Sequence, residues 1–213
     1  MTPNEFVEKL KEQKEKAHNL LHESEDYDIR RGMGHSISGF VEDLFATYIA
    51  SNLKRTDLIY FVDKVTSFKH AGMAKAKSIK PDLLILDNKD PNNKEKTATH
   101  YYDLKTDIGY GREMEKNLNR WNDLILSLRG NRAWITIGKN REYEIEFTNT
   151  IKYSVVVAID WNVNKNVLKK NLEIAEQLEG IDMYVLINKE PESNFQINKN
   201  DFDKLMADCK RNL

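Results

Sequence analysis

Asp82, Asp103 and Lys105 are the residues in this chain whose types and spacing best suit metal-assisted chemistry at a phosphate. Carboxylate oxygens are the ligands Mg²⁺ requires, with water and phosphate filling its remaining positions. Asp103 and Lys105 are separated by Leu104 alone. Side chains alternate across a strand, so the acid and the ammonium project to one face while Leu104 points to the other. Asp82 follows Pro81 and opens an apolar run, Leu83–Leu86, that suits a central strand buried on both faces. Residues 88–96 are dense in Asn, Asp, Pro and Lys, a turn composition. The spacing therefore predicts a hairpin of strands 82–87 and 98–105. Asp82 begins one arm and Asp103 lies near the end of the other, so both carboxylates fall at the end opposite the turn.

The element before the hairpin offers a fourth group. Residues 36–52 have helical periodicity, with Ile37, Phe40, Val41, Leu44, Phe45 and Tyr48 on one face. Asp43 points away from that face. Glu42 lies at its edge, in line with Ser38, Phe45 and Ile49, where it can reach toward a sheet. Ser36 or Ser38 could cap this helix, and His35 lies beside them.

The other elements frame these groups. A polar helix is expected over 4–22, followed by a polar linker to Gly34, and a strand over 58–68, which is β-branched and aromatic. Met114, Leu118, Trp121, Leu124, Ile125 and Leu128 predict a helix over 112–128. Strands follow at 133–137, 143–147 and 153–159, then a helix at 165–179, a strand at 181–187 and a helix near 200–211. The expected class is α/β, a central mixed β-sheet flanked by helices, in one domain over 1–213.

Composition narrows the setting. A chain of 213 residues, 40% hydrophobic and 31% charged, is expected to bury a sizeable core. It has no apolar run long enough for a membrane span and no basic-then-apolar leader, so a cytoplasmic protein without membrane contact is expected. The single Cys209 excludes a disulfide framework and a cysteine-rich zinc site. A net charge of −1 argues against a simple nucleic-acid coating protein. The charge is unevenly spread, however. Residues 64–80 hold Lys64, Lys69, Lys75, Lys77 and Lys80 with no acid, directly before Asp82. Such lysines suit phosphate contacts.

Pro81-Asp82 with Asp103-Leu104-Lys105 resembles the motif of the PD-(D/E)xK nuclease superfamily: an aspartate, a variable gap, then acid-x-lysine. The resemblance covers roughly residues 35–160, outside the N-terminal helix 4–22 and the C-terminal region 165–211. It implies a restriction-endonuclease-like core of a helix, a three-stranded meander, a helix and a further strand. It implies Mg²⁺, with Mn²⁺ able to substitute, held by Asp82 and Asp103, and makes Glu42 the counterpart of the helix acid that many members add. Lys105 would serve as base or as charge stabiliser. Double-stranded DNA is the implied substrate, with Lys69, Lys75, Lys77, Lys80 and Arg112 as candidate contacts. The lack of a GxxxxGK[ST] motor motif points to a type II restriction endonuclease, cutting as a homodimer. A repair or junction-resolving nuclease of the same fold and a non-catalytic DNA-binding module are the alternatives.

Overall fold

The computed structural model describes residues 1–19, 37–69, 73–108, 114–137, 140–161, 163–189 and 195–213. The expectations for Gly34, His35, Ser36 and Arg112 lie outside these residues.

The helix preceding the hairpin is α2, Ser38–Leu53, and α1 is Pro3–Asn19. The structure corrects Ser38 as the cap of α2: Ile37 takes that position and its side chain makes no capping hydrogen bond. Ile37 instead buries its side chain in the core. α2 closes at its C-cap Lys54, which adopts φ 51° and whose amide donates to the Ala50 carbonyl.

The strand expected over 58–68 is two strands, β1 (Leu58–Val62) and β2 (Thr66–Phe68). The break falls at Asp63, which adopts φ 56°. Aspartate tolerates this left-handed conformation better than the β-branched residues around it. Within the lysine-rich stretch after the break, β2 pairs antiparallel with β3, Lys77–Ile79. The anticipated central hairpin is present as β4 (Leu83–Asp87) against β5 (Glu95–Lys105). β1 pairs antiparallel with β4, completing a three-stranded meander.

The remaining elements are α3 (Glu115–Leu128), β6 (Arg132–Ile137), β7 (Asn140–Phe147), β8 (Tyr153–Ile159), α4 (Lys165–Gln177), β9 (Ile181–Lys189), β10 (Phe195–Ile197) and α5 (Lys199–Arg211). Sequence periodicity missed β3 and β10, each three residues long. Together the strands form a mixed α/β sheet flanked by helices.

β5 organises this sheet. Its second half, Tyr101–Lys105, runs parallel to β8, and β8 runs parallel to β9. Its first half, Glu95–Ala98, runs parallel to β7. Beyond β7 lie β6, β2 and β3 in turn. The β2–β3 and β6–β7 hairpins therefore interrupt the chain between β1 and β4 and between α3 and β8, and pair through β2 and β6 into a wing. Both faces of β4 are dry, as its run of apolar residues requires. Leu83 and Ile85 join the core beneath α1, α2 and α5, and Leu84 and Leu86 the core beneath α3 and α4.

Candidate functional site

The site is built at the carboxyl end of β5. Asp82 lies just before β4, and its backbone is fixed on both sides: its amide donates to the Tyr102 carbonyl at 3.1 Å, and its carbonyl accepts from the Asp63 amide at 3.1 Å. Its carboxylate Oδ2 accepts a short 2.5 Å hydrogen bond from the Leu104 amide. Asp82 is thus held against the Asp103-Leu104-Lys105 segment, as the hairpin register requires.

Lys105 Nζ lies 2.7 Å from Asp103 Oδ2, with the two side chains 24% and 13% exposed. Strand alternation accounts for the shared face. The pair is partly withdrawn from water, so it is screened less than a surface pair. The contact is charge pairing out of hydrogen-bond alignment, and Asp103 Oδ2 accepts no hydrogen bond. That buried oxygen keeps capacity for another donor or a cation. Lys105 also stands 5.8 Å from the Trp121 ring on α3, and Trp121 stacks at 5.0 Å on Tyr153 of β8. Helix α3 and strand β8 thereby set the floor beneath the lysine. Burial, with the Asp103 charge second, raises the Tyr153 phenol well above its usual range and keeps it neutral.

Glu42 does reach the sheet. One carboxylate oxygen from each of Glu42, Asp63 and Asp82 falls within 4.8 Å of the others. Asp63 is the member that sequence reasoning missed. Its contribution depends on the break between β1 and β2, and the available signal was the Asp63-Lys64 charge pair inside an otherwise apolar run. Lys80 pairs with Asp63 at 2.7 Å, both side chains being about half exposed.

The acids strain against one another. Burial raises the Glu42 carboxyl above its ordinary value, with the Asp82 and Asp63 charges adding to the rise and Lys80 opposing it. Burial likewise raises Asp82; the Leu104 hydrogen bond opposes this, and the Asp103 charge reinforces it. An all-oxygen donor set crowded enough to repel itself suits a hard divalent cation such as Mg²⁺. Glu42, Asp63 and Asp82 could hold such an ion, with Asp103 adjoining them along β5.

These shifts have a sign that can be tested. A carboxyl whose folded pKa is raised binds its proton more tightly in the folded state, so ionisation penalises folding. The penalty is absent below the unfolded value, grows between the two values and is complete above the folded one. In EDTA, Glu42→Gln is expected to melt higher than the parent at neutral pH, the gap closing as pH falls through the acidic range. Mn²⁺ is expected to raise the parent's melting temperature more than the variant's. A variant that melts lower at neutral pH would show that Glu42 is not under repulsion.

Four of the proposed DNA contacts are described. Lys75 and Lys77 are exposed at the outer hairpin of the wing, β3 being paired, among the described residues, with β2 alone. Lys69 reaches back to the Ala74 carbonyl at 3.3 Å, and Lys80 belongs to the acid cluster through Asp63. His100, buried on β5, is engaged structurally: Nδ1 meets Thr99 Oγ1 at 2.8 Å and Nε2 the Cys209 carbonyl at 2.9 Å. Burial pushes its pKa down to about 4.

Comparison with protein-family models, with curated proteins and with solved structures gives no match. Among the described residues, no helix is long and apolar enough to cross a membrane.

Proposed function

We propose that the chain is a Mg²⁺-dependent DNA endonuclease with a restriction-endonuclease-like core. The observation that carries this reading is the convergence of Asp82 on the Asp103–Lys105 pair, with Glu42 and Asp63 adjoining, at one end of an antiparallel hairpin. Helix α2, the meander β1-β4-β5, helix α3 and the parallel strand β8 follow the element order that the sequence resemblance implies. The two inserted hairpins leave that order intact and add a lysine-bearing wing beside it.

Mg²⁺ held by Glu42, Asp63 and Asp82, with Asp103 adjoining, would supply Lewis-acid polarisation of the scissile phosphate and stabilise charge on the leaving oxygen. The protein's own groups do the rest. The Leu104 amide orients Asp82, and Asp103 holds Lys105 beside it. Lys105 opposes charge gathering on the phosphate and orients the attacking water; its pairing with Asp103 favours this role over that of a free base. Asp63 completes the acid cluster from the β1–β2 break, and Mn²⁺ is expected to substitute for Mg²⁺.

The finer reading is a type II restriction endonuclease acting on double-stranded DNA as a homodimer, each copy cutting one strand. Digestion of plasmid DNA with Mg²⁺ and with EDTA, followed by sequencing of the ends, tests both levels. Discrete metal-dependent fragments are expected. Nicking that follows DNA structure would make it a repair or junction-resolving enzyme, and metal-independent binding without cleavage would make it a binding module.

The wing carries a separate expectation. Replacing Lys75 and Lys77 by Gln should flatten the dependence of log affinity on log salt by roughly 0.9 for each lysine that touches a phosphate. Anisotropy of labelled duplex over a salt series measures this, and an unchanged slope would move the DNA track off the wing.

A further inference from the structure

Strands β5, β8 and β9 are parallel, and their carboxyl ends form one rim of the sheet. Ligands of open α/β sheets bind in the crevice outside such ends. A pocket of about 450 Å³ opens here, within the range of about 300–1,000 Å³ usual for small-ligand sites. Thr106 and Asp107, the residues that follow Lys105, line one side of it, and α1 lines the other. Its apolar walls are Trp161, Phe195, Ile37 and Ile159. Trp161 is held by the turn that leaves β8: Asp160 Oδ1 accepts from the Lys189 amide, and the Asp160 amide donates to the Ile187 carbonyl.

Lys14 of α1 has an unusual position here. Its Nζ is buried, has no hydrogen-bond partner among the described residues and rests 2.9 Å from the centroid of the Trp161 ring. Lys189 adds a second ammonium 4.6 Å from the same ring. Burial pushes the Lys14 amine down to about 8, Lys189 pushes the same way and Asp107 opposes them. Of the charged groups on the surrounding elements, Lys11, His18 and Glu15 also line the pocket, and Lys11 is paired with Glu8. A cation–π contact compensates an ammonium only in part for its lost water. The arrangement places two ammonium groups against one flat aromatic surface.

We propose that this pocket is a nucleotide subsite that takes one deoxynucleotide held outside the base stack. Its phosphate draws Lys14 off the indole and meets Lys189, and its base takes the vacated ring face and the Phe195 wall. Every base has a π-face, so the shelf is tolerant of base identity. The choice of a nucleotide rests on the nuclease reading, because the pocket begins at Thr106, the residue next to Lys105. The position suits a nucleotide displaced beside the cut, since enzymes that extrude a base hold it against aromatic and apolar side chains.

The test uses the full chain in EDTA, with deoxyadenosine 5′-monophosphate as probe. Tryptophan fluorescence should change saturably, with half-saturation near or below roughly 1 mM. In the unsubstituted protein, the nucleotide should also protect Lys14 from acetylation, read by mass spectrometry. Lys14→Met should weaken binding by about tenfold or more, and so should removal of the phosphate from the probe. Absence of both the fluorescence change and the protection would overturn the proposal. So would equal binding of deoxyadenosine, or of inorganic phosphate alone. Nucleotide binding in a chain that never cuts DNA with Mg²⁺ would keep the subsite and remove the nuclease reading; cutting without nucleotide binding would do the reverse.

Discussion

Lys105→Ala is expected to slow metal-dependent DNA cleavage by roughly 10²–10³-fold, the usual cost of removing one preorganised contact to developing charge. The variant should remain folded. Lys105 is partly exposed at the end of β5, and Asp103 still borders the open end of the sheet once its partner is gone. Asp82→Ala and Asp103→Ala should be at least as damaging, since each also removes an oxygen donor. Single-turnover cleavage with Mg²⁺, alongside circular dichroism, separates lost chemistry from lost structure. Asp82→Ala also frees the Leu104 amide from its 2.5 Å acceptor, so its far end of β5 should exchange amide hydrogens faster. Full metal-dependent cleavage by all three variants would sink the assignment of these residues.

The second large effect is on stability. Phe45→Ala should cost about 3–5 kcal/mol, the range for deleting a fully buried aromatic ring. Phe45 is fully buried on α2 and meets Tyr102 of β5 edge to face, with centroids 5.2 Å apart. This contact joins the helix that carries Glu42 to the strand that carries Asp103 and Lys105. A chain of this size should melt lower by roughly 6–20 °C. Denaturant unfolding with an unchanged slope measures the loss directly. A loss under about 1 kcal/mol would mean that the ring sits in a site able to collapse around its absence.

Much of the site was legible from local periodicity. Asp103 and Lys105 needed only the two-residue repeat of a strand, and Glu42 only the phase of a helix. Asp82 needed one further step, the register of a hairpin whose turn was marked by composition. Asp63 was not legible in this way. Its role comes from a backbone reversal inside a run that reads as one strand, and from the pairing of β1 with β4 that brings the reversal beside Asp82. The wing was hidden for a related reason. β2 finds β6 across a long stretch of chain, and no local pattern encodes that choice of partner. β3 and β10 are too short for a two-residue repeat to stand out. The pocket under α1 depends on three strand ends meeting a helix from the far N-terminus, so its residues share no motif.

The register of β5 has one irregularity. Ile85 faces His100 and Leu86 faces Ala98, so Thr99 is an extra residue, bonded through its hydroxyl to the Ile85 carbonyl at 3.3 Å. It lies where β5 exchanges β7 for β8 as its parallel neighbour. The bulge resets the alternation: Ala98 and Tyr101, three positions apart, both enter the core beneath α3. Thr99 therefore works as a one-residue frameshift in three dimensions. Were it deleted with the wing held in place, Tyr102 and Leu104 would turn toward α3, while Asp103 and Lys105 would turn toward α2 and the core beneath it. The chemistry of this strand is thus set by the parity of a residue that touches none of it.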